Sequence, residues 1–116
     1  MAEAADRAQD PEELGRLFLQ RANAGDIDGV VALYEPEAVL ASPAGGVAVG
    51  TEAIRRAYQQ LLAGRPRVAG DVGPALRCGD LALTSTRFQG GATAEIARRQ
   101  PDGTWLWAVD QPSVIR

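Results

Sequence analysis

The chain has 116 residues, 46% hydrophobic and 23% charged, with a formal charge of -3; this is the size and make-up of one folded domain and excludes a collagen-like, wholly disordered or membrane-spanning chain. Its twelve basic residues are all arginine and are scattered rather than gathered in a stripe, so no nucleic-acid partner is expected. Histidine and lysine are absent and the one cysteine is Cys78, which excludes Ser-His and Cys-His pairs, lysine Schiff bases, an intramolecular disulfide and the usual zinc spacings. Acid-base chemistry must then use carboxylates or tyrosine, and neither a cofactor nor a metal is implied.

Residues 1–9 alternate alanine with charge and lack an apolar run long enough for a signal peptide or membrane anchor. They read as a frayed start to a cytoplasmic protein, with a single domain over 10–116. Asp10, Pro11 and Glu13 form a capping box that opens a helix over 11–23. Leu14, Leu17, Phe18 and Ala22 share its apolar face, and Gly25 stops it. Asp26 caps a second helix with the stripe Ile27, Val30, Val31 and Tyr34, ended by Pro36. A short strand over 38–41 leads into the turn from Ser42 to Gly46, and 47–49 can pair back.

Thr51 caps a third helix whose apolar face is Ile54, Ala57, Tyr58, Leu61 and Leu62, with Gly64 and Pro66 as terminators. Beyond it the helical period vanishes. Strand-like runs at 67–77, 81–88, 92–99 and 104–114 are separated by Gly79-Asp80, Gly90-Gly91 and Pro101-Asp102-Gly103. Helices followed by an antiparallel meander define an α+β fold in which the helices cover one face of a curved sheet.

Three segments carry a family resemblance: the corner from Asn23-Ala24-Gly25-Asp26 through Leu33-Tyr34, Gly50-Thr51-Glu52-Ala53-Ile54, and Asp102-Gly103-Thr104-Trp105. Through them the chain resembles the nuclear transport factor 2-like superfamily, in its SnoaL-like and ketosteroid-isomerase-like branch. The resemblance implies a cone-shaped antiparallel sheet closed by three N-terminal helices around an apolar pocket, and a homodimer formed through the outer sheet face. Where ketosteroid isomerases place an oxyanion-stabilising tyrosine this chain has Phe18, and where they place the proton-shuttling aspartate it has Ser42 before Pro43. Their second oxyanion acid falls at Glu95. Limonene epoxide hydrolases, a second similar branch, have acids near Glu95 and at Asp110 but a bridging arginine at the position of Thr93; Arg87 or Arg99 substitutes only if it points inward.

The implied ligand is a polyketide-, terpenoid- or steroid-like small molecule, contacted by Phe18, Tyr34, Ser42, Tyr58 and Trp107. An enzyme of this kind would be a cofactor-independent isomerase, dehydratase, cyclase or epoxide hydrolase, with Glu95 as acid or oxyanion donor and Asp110 as base. The alternative is a non-catalytic ligand-binding, dimerisation or protein-interaction module. Tyr34 and Tyr58 fall on apolar helical faces and are candidates to replace the hydroxyl lost at Phe18. Trp105 and Trp107 share one strand face, at least one of them for packing. Thr84, Ser85 and Thr86 read as ordinary strand residues.

Whether Glu95 and Asp110 meet depends on the last hairpin. A two-residue Asp102-Gly103 turn sets Glu95 directly across from Asp110, and a four-residue loop makes them diagonal neighbours. A type I turn over 100–103 with a glycine bulge sets Glu95 against Val109 and turns Asp110 outward, unless a second bulge restores the parity. Proline before Asp-Gly favours this last turn locally.

Overall fold

The first helix forms where its capping residues place it in the computed structural model, which describes residues 6–42 and 45–114. Helix α1 spans Pro11–Asn23, and the Asp10 carboxylate accepts from the Glu13 amide at 3.0 Å. The Glu13 carboxylate reaches one residue past the cap and accepts from the Gln9 amide at 2.7 Å. Residues 6–9 are held in place, correcting the expected frayed start. Ala8 is 1% exposed, its carbonyl accepts from the Trp105 amide at 3.0 Å, and the Asp6 carbonyl accepts from Arg21. Residues 1–5 lie outside the described residues.

Helix α2, Ile27–Val31, is capped by Asp26, whose carboxylate accepts from the Gly29 amide at 2.9 Å. A Cβ at position 29 would lie 2.2 Å from Asp26 Oδ2, so a larger residue there would displace the capping side chain. This helix ends earlier than its stripe suggests. Tyr34 opens strand β1, Tyr34–Ala41, because the Trp107 amide takes the Leu33 carbonyl at 2.8 Å and draws the chain into parallel pairing with the last strand. Strand pairing thus overrides a weak helical period. The register shifts between Tyr34 and Val39, so Pro36 lies in a bulged stretch of strand, where a missing donor is tolerated.

Strand β2, Val47–Val49, pairs back on β1 as expected. Helix α3 spans Thr51–Leu61, but its cap is Gly50 at φ 89°, with no side-chain cap from Thr51. The remaining strands are β3 Asp71–Val72, β4 Leu76–Cys78, β5 Leu81–Thr84, β6 Thr86–Phe88, β7 Gly91–Ala92, β8 Ala94–Arg99 and β9 Trp105–Gln111. They form a six-stranded sheet, β2-β1-β9-β8-β5-β4, and a small β3-β6-β7 sheet.

Two predicted strands are each broken once, at Ser85 and Thr93, and the break is stitched by side chains. Ser85 Oγ donates to the Thr93 carbonyl at 2.7 Å, while Thr93 Oγ1 accepts from the Thr86 amide at 2.9 Å. Here the two strands leave the large sheet together and form the small one, which curves the surface under the helices. Leu14, Leu33, Leu40, Ile54 and Val30 are the largest fully buried apolar side chains between helices and sheet. No helix among the described residues is long and apolar enough to cross a membrane.

The last hairpin has the locally favoured turn. The Gly103 amide donates to the Gln100 carbonyl at 2.8 Å, and Gly103 sits at φ 87°, a conformation that favours glycine. Arg99 then faces Trp105 and Ala97 faces Trp107, a register that would set Glu95 against Val109. A second bulge intervenes at Ala108. Beyond it Ile96 faces Val109 and Glu95 faces Asp110, so the parity is restored. Burial follows the bulge: Trp107 and Ala108 are both buried, Val109 is 43% exposed and Asp110 is 5% exposed.

Candidate functional site

A cavity of about 240 Å³ opens between the helices and the inner sheet face. Phe18 of α1, Tyr58 of α3, Val68 and Phe88 line it, and Trp107, Glu95 and Asp110 come from the large sheet. The chain after α3 is fixed by Asn23, whose side-chain amide both donates to the Val68 carbonyl and accepts from the Val68 amide, each at 2.7 Å. This clamp holds Val68 against the cavity.

Glu95 and Asp110 are 4% and 5% exposed, and as direct cross-strand partners their Cβ atoms lie about 4.5–5.5 Å apart. Each acid has its own support. Thr84, opposite Glu95 on β5, donates its hydroxyl to Glu95 Oε1 at 2.6 Å and accepts from Trp107 Nε1 at 3.1 Å. The Tyr34 hydroxyl donates to Asp110 Oδ2 and lies 2.6 Å from the Tyr58 hydroxyl. Asp110 Oδ1 is the buried side-chain polar atom without a partner among the described residues. Phe18 packs against Tyr58 at 5.9 Å and Trp107 at 6.2 Å between ring centroids, and Tyr34 against Trp107 at 5.3 Å.

Burial pushes the Asp110 carboxyl up to about 7, the Glu95 charge adds to the rise, and the Tyr34 hydrogen bond opposes it. Burial also raises Glu95, against hydrogen bonds from Thr84 and Thr93. Two adjacent buried carboxyls resist double ionisation, which keeps the Asp110 proton in place up to about 7. Tyr34 and Tyr58 are raised above the ordinary tyrosine value, chiefly by burial, and stay protonated.

No arginine is among the described residues that line the cavity. Arg87 is exposed, and Arg99 pairs with Asp80 at 2.8 Å, so neither replaces the bridging arginine of the epoxide-hydrolase pattern. Phe18, Tyr58, Trp107, Glu95 and Asp110 all line the cavity. Tyr34 stands behind Asp110, on a strand rather than the expected helix. Ser42 is not among the lining residues. It sits at the end of β1, where its carbonyl accepts from the Gly45 amide at 3.0 Å; Pro43 lies outside the described residues. Sequence reasoning passed over Thr84 as a strand residue. Its inward position opposite Glu95 was the available signal.

A curved sheet closed by helices over a cavity is the nuclear transport factor 2-like, or cystatin-like, α+β architecture, a fold often used to bind small molecules or catalyse isomerisation. The chain belongs to the SnoaL-like domain family, which matches residues 15–115. Among solved structures it is similar to a ketosteroid isomerase-like protein from Erwinia carotovora atroseptica, at 20% identity over 85% of this chain and 88% of that one, TM-score 0.68. A nuclear transport factor 2-like protein of unknown function from Shewanella oneidensis is 16% identical over 84% and 91%, TM-score 0.68. A protein of unknown function with a cystatin-like fold from Nostoc punctiforme is 19% identical over 86% and 84%, TM-score 0.67. At these identities the likeness shows the fold alone. No curated protein matches the chain in sequence.

Proposed function

We propose that the cavity binds a compact, largely apolar small molecule of polyketide-, terpenoid- or steroid-like character, and that Glu95 and Asp110 exchange a proton with it without a cofactor. The observation that carries this reading is the buried, directly opposed acid pair with Asp110 Oδ1 unpartnered in a largely apolar cavity. Asp110, raised to about 7, is the member that holds the proton and acts as acid. Glu95, supported by Thr84, is the ionised member and acts as base. This exchanges the roles expected from the sequence, Glu95 as acid or oxyanion donor and Asp110 as base.

The test is turnover of compact β,γ-unsaturated ketones and epoxides by the wild type, Glu95→Gln and Asp110→Asn. Each variant is expected to lose turnover while still binding, and the wild-type rate to peak on the acidic side of about 7, between the two titrations of the pair. Unchanged turnover in either variant would remove that acid from the mechanism. Phe18 in place of a hydroxyl donor and Thr93 in place of an arginine favour a second reading, non-catalytic binding in the same cavity. It predicts affinity without turnover.

We further propose a homodimer through the outer sheet face. Paired positions Leu76, Leu83, Ile96, Val109, Val39 and Val49 form one apolar row across all six strands, and five of the six are more than 40% exposed. Sedimentation of the wild type against Ile96→Asp tests it: a dimer that becomes a monomer supports the interface, and a wild-type monomer removes it.

A further inference from the structure

We propose that the polar end of the ligand is a hydrogen-bond donor bearing positive charge, an organic ammonium group, seated against Glu95 and Asp110 and enclosed by the rings of Phe18, Tyr58 and Trp107. The proposal rests on the reading that this cavity is the ligand site, and it adds the chemical class of the group that enters first.

Counting protons on the cavity floor leads to it. Tyr34 has one hydroxyl proton and donates it to Asp110 Oδ2. In the short contact between the two tyrosines the donor is therefore Tyr58, whose own proton is then also used. Thr84 donates to Glu95, and the Trp107 indole donates to Thr84. With Thr93, whose hydrogen bond also favours the Glu95 charge, the five donors around the acids are all engaged within the protein. What remains at the cavity residues is acceptor capacity: a lone pair of Tyr58 and, once Asp110 has lost its proton above about 7, the buried and unpartnered Asp110 Oδ1. A ligand oxygen arriving here meets at most the one proton that Asp110 holds below about 7. A ligand N–H group meets the acceptors just named.

Charge points the same way. The acid pair retains negative charge when it holds a single proton, and no cationic side chain is among the described lining residues. A buried negative charge is costly unless something pairs with it, and a ligand cation can do so. Around it stand three aromatic side chains, Phe18 within 5.9 Å of Tyr58 and 6.2 Å of Trp107 by ring centroid. Aromatic faces attract cations through their quadrupoles, most strongly where water is excluded. A carboxylate or phosphate ligand would meet repulsion from both acids.

Calorimetric titration with three probes of similar size and different charge tests the class: 2-phenylethylammonium, 2-phenylethanol and 3-phenylpropanoate. The ammonium is expected to bind at least about tenfold tighter than the alcohol at about pH 8, with no binding of the carboxylate. The titratable groups around the site are Tyr34 on β1, Tyr58 on α3, Glu95 on β8 and Asp110 on β9; the tyrosines stay protonated, Glu95 is raised, and Asp110 changes charge at about 7. Ammonium affinity should therefore weaken as pH falls through about 7, with protons released on binding. Glu95→Gln and Asp110→Asn should each erase the preference over the alcohol; thermal unfolding checks that each variant folds, and either folded variant suffices. Alcohol or carboxylate binding as tightly as the ammonium, or a preference that survives in a folded variant, overturns the ammonium assignment and leaves the cavity as a ligand site. Failure of all three probes to bind removes both the assignment and the cavity as their site.

Discussion

At one end of the last hairpin the two faces of the six-stranded sheet depart from the usual distribution of side chains. Toward the helices, where apolar residues are the rule, the last hairpin buries Glu95 and Asp110; toward the outside the same two strands expose Ile96 and Val109. Neither choice serves the stability of an isolated chain. Buried carboxyls lose hydration, and an exposed apolar row gains nothing until something covers it. Both departures occur on neighbouring residues of one hairpin, and the single extra residue Ala108 decides which face each of them takes. Local stability and function diverge where a site is built, and here the divergence can be read residue by residue.

The largest effect of breaking the contrast is expected on the inner face. Trp107 is 3% exposed and forms both a cavity wall and the support of Thr84. Trp107→Ala should cost about 3–5 kcal/mol in denaturant unfolding. Thr84→Val keeps the shape but leaves Glu95 Oε1 and the Trp107 indole without partners, a loss of about 1–3 kcal/mol. It should also raise the Glu95 titration further, since the Thr84 hydrogen bond opposes the rise caused by burial.

Asp110→Asn should act in the opposite direction. The folded Asp110 carboxyl titrates at about 7, above its ordinary value, so the native state holds this proton more tightly than the unfolded chain. The stability associated with it is fully present at acidic pH and is lost as pH rises through about 7. Wild-type protein should therefore melt higher at mildly acidic than at mildly basic pH. The variant should lose that dependence and be more stable than wild type by about 1–3 kcal/mol under basic conditions. A variant less stable than wild type there would show that Asp110 is held ionised at no cost. The smallest effect is predicted outside: Ile96→Ser should change the stability of the folded chain by no more than about 0.5 kcal/mol while weakening the proposed dimer, read by sedimentation.

Legibility in the sequence followed the range of the interactions. Helix α1 was readable to the residue because Asp10, Pro11 and Glu13 act within one turn. The α+β order and the return of β2 onto β1 were also local, as was the Gln100–Gly103 turn. Tyr34 was misplaced on a helix because its conformation is set by pairing with β9, more than seventy positions away in the chain. Its hydrogen bond to Asp110 was unreadable for the same reason. The facing of Glu95 and Asp110 turned on Ala108, an alanine whose sequence context carries no bulge signal. The family resemblance led to both acids, but neither periodicity nor resemblance gave Thr84 its place between Glu95 and Trp107.

Isotope-edited carbon NMR of the side-chain carboxyls, titrated across acid and neutral pH, tests the proton held on Asp110 most directly. The geometry predicts two separated steps for Glu95 and Asp110, one of them near 7 and lost in Asp110→Asn. Both acids titrating together near about 4, the ordinary carboxylate range, would contradict it, leaving no proton on the pair for exchange with a ligand.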